Sequence, residues 1–198
     1  MLAIEAGGDL TASYALTVKP HQFPTRRLAV DPAFVNPPQS ELQRIEHDTE
    51  RLNAVWQSSA AERLWTAPFV RPVPQPANSR FGTRSIFNGE ARNPHGGADF
   101  PSPRGTTVRA PNAGRIALAE SLYFSGNTVI VDHGLGLFSL LAHLSTMAVH
   151  EGDRVAAGQI IGRVGATGRV TGPHLHWAVR ANGARVDPMA LIVLLGRR

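Results

Sequence analysis

Apolar positions change their rhythm near residue 80. Before it, Leu42, Ile45, Thr49, Leu52 and Trp56 recur at steps of three and four, which is one stripe of an α-helix. Ser40 and Gln43, behind Pro37 and Pro38, read as an S-x-x-Q capping box at its start. The stripe predicts a helix packed on the main body of the chain; two heptads are too few for a coiled coil. From Arg80 onward helical stripes vanish. Short β-type runs follow one another: "TTVRA", "GRIALA", "NTVIVDHG", "FSLLAHL", "QIIGRVG" and "HLHWAVR". Glycine-rich turn signals at short intervals separate them, the pattern of an all-β unit.

The flanks are less regular. Residues 1–35 hold "SYALTV" and "RRLAV", broken by Gly8, Pro20, Pro24 and Pro32, and read as a partial accessory β segment. Residues 36–66 form the connecting helix. Residues 67–79 carry Pro68, Pro72, Pro74 and Pro76, which fix φ and remove donors, so this stretch reads as an extended, stiff linker. Residues 80–198 form the main domain. "ALIVLLG" is too short to span a bilayer and ends in Arg197 and Arg198, as a final packed segment would. The fold class is mainly β, preceded by a helix and a partial N-terminal β segment.

Composition narrows the picture a little. A chain of 198 residues supports one good core and a small second unit. Apolar residues at 42% and charged residues at 18% indicate a globular chain, and no apolar run approaches the ~20 residues of a membrane span. "MLAIEAGGDLTASYALTV" lacks the basic region and apolar stretch of a secretory signal, so the protein stays inside the cell or this chain lacks its original N-terminus. Cysteine is absent, which excludes disulfides and thiolate metal ligands. The net charge of +5 comes almost wholly from arginine and favours anionic partners: nucleic acid, a membrane surface or an acidic wall polymer. No basic block or nucleic-acid module accompanies it, so nucleic acid is not an expected partner. "GDRVAAGQIIGRVG" has the strand–turn–strand look of biotinyl and lipoyl carriers, but no lysine follows Lys19 to bear the cofactor.

Candidate chemistry centres on the histidines. In "HLHWAVR", Leu175, Trp177 and Val179 point one way while His174, His176, Ala178 and Arg180 point the other. A strand rises about 3.3 Å per residue, so the two imidazoles lie on one face roughly 6.5 Å apart. "NPHGGADF" adds His95 and Asp99; Pro94, Gly96 and Gly97 argue against a helix, so a turn feeding a short strand is expected. "LLAHLS" adds His143, sharing a strand face with Leu141 and Ser139. Each signal alone is weak. Together, His95, Asp99 and His176 would supply three N/O ligands and leave a fourth zinc position for water, whose pKa zinc lowers to about 7. His174, one strand step from His176, is placed to take and pass on a proton. His143 is placed to steady a developing oxyanion. Either histidine could share both roles.

"NPHGGADF", "LLAHLS" and "TGPHLHW", in this order, resemble the lysostaphin/LytM-type zinc endopeptidases, the M23 peptidases. "FGTRSIFNG", "GTTVRAPNAGRI", "GNTVIVDHGLG", "VAAGQIIGRVGATG" and "RVDP" fit as well, so the likeness covers roughly residues 80–190. It implies a compact antiparallel β fold with the site in a long groove. It also implies Zn2+ at His95, Asp99 and His176, catalytic roles for His143 and His174, and cleavage of peptide cross-links in bacterial peptidoglycan. A periplasmic or secreted location follows from that substrate. Some relatives have lost ligands and serve as wall-binding or amidase-activating modules, the alternative function; here no position of the set is replaced. The residues before 80 resemble the tail of an accessory domain in longer Gram-negative relatives, the rest of which is missing from this chain. That layout points to a D-Ala–diaminopimelate bond, with a glycine bridge as the other choice. Arg84, Asn88, Tyr123 (beside Phe124) and Asn127 are the substrate-binding candidates. His133 reads as a turn residue, and His21, His47 and His150 as surface.

Overall fold

The computed structural model of the chain describes residues 2–5, 11–14 and 20–195. An outlying hairpin, β1 (Leu2–Glu5) and β2 (Thr11–Tyr14), comes first; most of "SYALTV" lies outside the described residues. A small sheet follows, in which β3 (Thr25–Leu28) pairs in parallel with β4 (Arg84–Phe87) and β4 pairs antiparallel with β5 (Glu90–Arg92). All else is one nine-stranded antiparallel sheet. Its members are β6 (Gly97–Phe100), β7 (Thr107–Arg109), β8 (Gly114–Leu122), β9 (Gly126–Asp132) and β10 (Leu137–Met147). They continue with β11 (Arg154–Val155), β12 (Ile160–Val164), β13 (Leu175–Ala181) and β14 (Ala184–Val186). The six β runs read from the sequence all fall on strands of this sheet. Among the described residues no helix is long and apolar enough to cross a membrane.

Strand β10 organises the sheet. One edge pairs with β9 from Phe138 to Leu144; the other pairs with β13 up to Ala142 and with β12 from Leu144. His143 stands at that changeover, with a φ of 65° and a break in register on the β9 side. This is a β-bulge, and it reverses the expected facing of the histidine. Leu141 and Ser139 point into the core and are fully buried, while His143 turns out beside Leu140 to line the groove on the other side. Strict alternation misplaced it because a bulge inserts one residue into the period of two.

Helix α1 (Leu42–Gln57) packs on the groove-facing side of β8, β9 and β10, with Val55 buried among Leu118, Leu122, Ile130 and Phe138 and with Leu52 and Trp56 lining the groove. Two expectations for it change. Ser40 and Gln43 do not form a capping box, because a 3-10 turn over Gln39–Glu41 runs directly into the helix and leaves Glu41 as an N-cap without a side-chain bond. The buried stripe is also rotated: Thr49 is exposed and bonds back to the Ile45 carbonyl, while Asp48 accepts the Tyr123 amide. The Pro-rich stretch is extended, yet it carries Phe69 and Val73 into the main core and donates or accepts backbone bonds with Pro111, Arg109 and Asp99. The final apolar run forms α2 (Pro188–Leu195), with Leu191 buried.

His133 is fully buried, its Nδ1 at 2.8 Å from the Ala113 carbonyl and its Nε2 at 2.9 Å from Ser139 Oγ. Burial pushes its pKa from 6.5 down to about 4, against the Ala113 bond and the charge of Asp132. The unfolded chain therefore takes up this proton near pH 6.5, the folded chain only near 4. Stability is lost as pH falls through that window, on the order of 3 kcal/mol from this group. Denaturant titrations between pH 7 and 4 should show a shallower pH slope for His133→Gln than for the wild type.

Candidate metal centre

Strand pairing brings the chemistry together. In the β6–β13 ladder Asp99 stands opposite His176, so both side chains leave the same face of the sheet. Gly97 makes the approach close: a Cβ there would meet the Trp177 carbonyl at 2.4 Å and His176 Cε1 at 2.9 Å. His95 arrives from the turn before β6, which is extended rather than helical as its proline and glycines require. Leu175, Trp177 and Val179 are buried beneath, and His174, His176 and Ala178 face the groove.

Three donor atoms converge. His95 Nε2 lies 3.0 Å from Asp99 Oδ1 and 3.1 Å from His176 Nδ1, and the latter two are 2.8 Å apart. A tetrahedral zinc site with bonds of ~2.0–2.1 Å sets its donors roughly 3.3 Å apart, so this triangle needs only slight opening to hold such a cation. His95 Nδ1 sits 3.2 Å from the Arg80 carbonyl. A carbonyl can only accept, so that nitrogen carries the proton and Nε2 keeps its lone pair. The outer oxygen of Asp99, Oδ2, accepts from Arg26 Nη1 at 3.0 Å. Arg26 is itself fixed by Ser79 Oγ at 2.8 Å and Ser85 Oγ at 3.1 Å.

Burial works to raise the Asp99 pKa, but hydrogen bonds and charge from His176 and His95 outweigh it and hold the carboxyl well below the usual range. Burial lowers His176, against the pull of Asp99. The carboxylate is therefore ionised and burial favours the neutral imidazole. Beside that acceptor its Nδ1 carries the proton, and ligation through Nδ1 requires the tautomer protonated at Nε2.

Two further histidines face the same spot. The His143 and His174 rings are 4.9 Å apart, centre to centre, and His174 Nε2 is 3.9 Å from Asp99 Oδ1. His143 Nδ1 donates to the Thr167 carbonyl at 2.9 Å and His174 Nδ1 to the Gly172 carbonyl at 2.9 Å. Each thus presents an unprotonated Nε2 to the groove in its neutral form. Burial, then the neighbouring charges of His176 and His174, push His143 down to about 3.

These groups open into a groove of about 750 Å³. The proposed substrate residues lie elsewhere. Arg84 is exposed on β4, and Asn88, in the β4–β5 turn, ties that turn to the chain after β3 by bonding both backbone groups of Val30. Tyr123 is a packed corner whose hydroxyl donates to the Ala33 carbonyl, and Asn127 bonds the Leu144 carbonyl. None of the four lines this groove, whereas Phe124 does. Sequence reading missed Arg26, which reaches Asp99 only because β3 pairs with β4 across 55 intervening residues, 29–83. Alternation in "RRLAV" marks Arg26, Leu28 and Val30 as one face, and all three line the groove, but nothing local says what that face meets.

The family model for Peptidase family M23 matches residues 93–188. Among curated proteins, the chain is 44% identical over 97 residues to a DD-carboxypeptidase/endopeptidase, Mpg, of Neisseria meningitidis, covering 49% of this chain and 22% of the relative. It is 41% identical over 96 residues to the peptidoglycan DD-endopeptidase ShyA of Vibrio cholerae, covering 48% and 22%. The chain thus spans about a fifth of the length of the curated relatives it matches. Among solved structures, an M23 protein from Pseudomonas aeruginosa superposes with a TM-score of 0.70 at 40% identity, covering 78% of this chain and 63% of that one. A zinc-containing peptidase from Vibrio cholerae gives 0.56 at 32% identity, covering 65% and 40%. The catalytic domain of the prophage-encoded M23 protein EnpA from Enterococcus faecalis, solved as a point mutant, gives 0.50 at 32% identity, with 65% of this chain covering 95% of that domain. By fold, by motif and by this near-complete overlap with a catalytic domain, the chain belongs to peptidase family M23.

Proposed function

We propose that the protein is a zinc-dependent endopeptidase that hydrolyses peptide cross-links of bacterial peptidoglycan outside the cytoplasmic membrane, in the periplasm or after secretion. The observation that carries this reading is the convergence of His95 Nε2, Asp99 Oδ1 and His176 Nδ1 within 3.1 Å of one another, with two more histidines beside them. The peptidase unit is residues 80–198, with the preceding segments as accessory elements. One relative's name, a peptidoglycan DD-endopeptidase, supports a cut between two D-configured centres, and we take the D-Ala–diaminopimelate cross-link as that bond.

His95, Asp99 and His176 would hold the zinc, which supplies Lewis acidity to activate water and polarise a carbonyl at neutral pH. One carboxylate offsets half of the dication's charge. Lewis acidity therefore survives ligation. His174 and His143 each offer Nε2 toward this point, their rings fixed through Nδ1 by backbone carbonyls. One takes the proton of the attacking water. Once protonated, it donates an N–H to the departing amine. Its neighbour steadies the carbonyl oxygen on which charge develops only when its own Nε2 carries a proton as well, since Nδ1 is held by a backbone carbonyl.

The test is mass spectrometry of sacculus digests. The protein should release peptides with new amine termini, lose this activity with a chelator and regain it with zinc. Unchanged digestion under chelator removes the zinc reading; no digestion under any condition favours a silent wall-binding module.

Arg26 yields a second expectation. It ties up Asp99 Oδ2 and so fixes the carboxylate to present Oδ1 alone. Removal of such supporting partners costs metal affinity about 10- to 100-fold. Competition with a chromophoric chelator should show that loss in Arg26→Gln, with the circular dichroism spectrum unchanged.

A further inference from the structure

The groove is lined by five arginines, Arg26, Arg92, Arg169, Arg180 and Arg185, and by a single carboxylate, Asp99. Asp99 is committed to three partners in the metal centre. Arg26 is spent on Asp99, and Arg92 on Glu90 and the Val35 carbonyl. The other three have no acidic partner among the described residues.

Arg169 belongs to the segment that anchors His143 through Thr167 and His174 through Gly172. Its guanidinium carbon lies 5.2 Å from the Phe87 ring centre and 4.9 Å from that of Phe124. Its side chain makes no hydrogen bond among the described residues, although the backbone amide is held by Phe124. Two aromatic contacts fix the group and leave its donors unused. Burial and the nearby charge of Arg92 both disfavour its charged form, so an incoming anion would relieve a cost already present.

The other bank repeats the arrangement. Arg180 and Arg185 are cross-strand partners on β13 and β14, a like-charge juxtaposition. Arg180 lies 4.7 Å over the Trp56 ring and, among the described residues, its side chain bonds only the Gly183 carbonyl. Arg185 packs beside Gly96, the neighbour of His95, where an added Cβ would meet it at 3.2 Å. Unpaired guanidinium groups therefore flank the metal centre on the His143–His174 side and on the His95 side.

Resting on the peptidase reading, we infer that Arg169 and Arg185 bind carboxylates of the substrate on either side of the scissile bond. The substrate class is then an anionic cross-linked peptide, with free carboxylates near the cleaved amide, rather than a neutral oligoglycine bridge. The planar fork of arginine suits bidentate carboxylate recognition. Stacking on Phe87 and Phe124 pre-orients one such fork.

The probes are a D-Ala–diaminopimelate cross-linked stem-peptide dimer with free carboxylates and the same dimer with them amidated. Turnover is followed with zinc-loaded protein, and equilibrium binding with chelator-treated protein, which does not depend on chemistry. Wild type should bind and cleave the acid form roughly 10- to 100-fold better than the amide, the worth of one charge-assisted hydrogen-bond pair. Arg169→Gln should erase most of that preference and leave zinc stoichiometry and melting temperature unchanged; Arg169→Lys should recover only part of it. Arg185→Gln should erase the remainder. Equal binding of both dimers by wild type, binding of neither, or a preference that survives in both Gln variants overturns the inference. Cleavage of acid and amide at equal rates does so too, while leaving the peptidase reading standing. Selective binding without any cleavage does the reverse.

Discussion

Asp99→Asn should remove zinc binding and reduce muropeptide cleavage by at least about 10³-fold, a loss of roughly 4 kcal/mol of transition-state stabilisation. The substitution is isosteric. Its amide oxygen can still accept from Arg26, so the link between β3 and the centre survives. What it removes is the one negative charge among the three converging donors, and with it the reason a dication prefers this triangle to water. His95→Ala should give the same loss by another route, removing one vertex and leaving two donors 2.8 Å apart. Thermal melting separates loss of metal from loss of fold. Zinc at 100 times its dissociation constant stabilises a protein that binds it only when folded by about 2.7 kcal/mol. Wild type should therefore melt several degrees higher with zinc than without, and both variants should melt at the same temperature in either condition. A zinc-dependent shift retained by Asp99→Asn would place the ion elsewhere.

The parts of this site that were legible in the sequence are those governed by local period. The alternation in "HLHWAVR" needs nothing beyond a strand with one face in a core, and the burial of Leu175, Trp177 and Val179 bears it out. The proline and glycines around His95 excluded a helix for equally local reasons, and β6 is the outcome. His143 failed because its bulge depends on β10 exchanging β13 for β12, an event of pairing between distant segments. No glycine announces the positive φ there; a histidine carries it. Arg26 was silent for the same kind of reason, since its neighbour Arg27 is identical in type and only the parallel β3–β4 register separates them. The capping box looked complete in sequence, but a preceding 3-10 turn supplied the helix start instead. Tyr123 and Phe124 show the limit most plainly. They are adjacent and aromatic, yet one packs against Phe34 and the other opens onto the groove.

His143→Ala and His174→Ala should each retain a full equivalent of zinc and lose about 10²- to 10⁴-fold in kcat, the usual worth of a positioned proton-transfer group. Neither residue belongs to the triangle of donors. Metal content, read by atomic absorption, should therefore not move, in contrast to the Asp99 and His95 variants. The double variant should lose far less than the product of the two single losses, because groups acting on one transition state fail together. Glutamine at each position then divides their work. Its side-chain amide places an N–H donor near the position of the imidazole Nε2 but cannot accept a proton at neutral pH. Glutamine should restore much of the lost rate where the histidine chiefly donates to the oxyanion. It should restore nothing where the histidine takes the proton of water. At position 143, with a φ of 65°, alanine and glutamine both lack the short local hydrogen bond that eases Asn or Asp into this region and neither is β-branched, so their backbone costs are similar. Alanine and glutamine are therefore compared on equal terms there. Rescue at 143 and none at 174 assigns the oxyanion to His143 and the proton to His174. The opposite result exchanges the roles, and a loss of zinc from either alanine variant would move that residue into the metal's own shell.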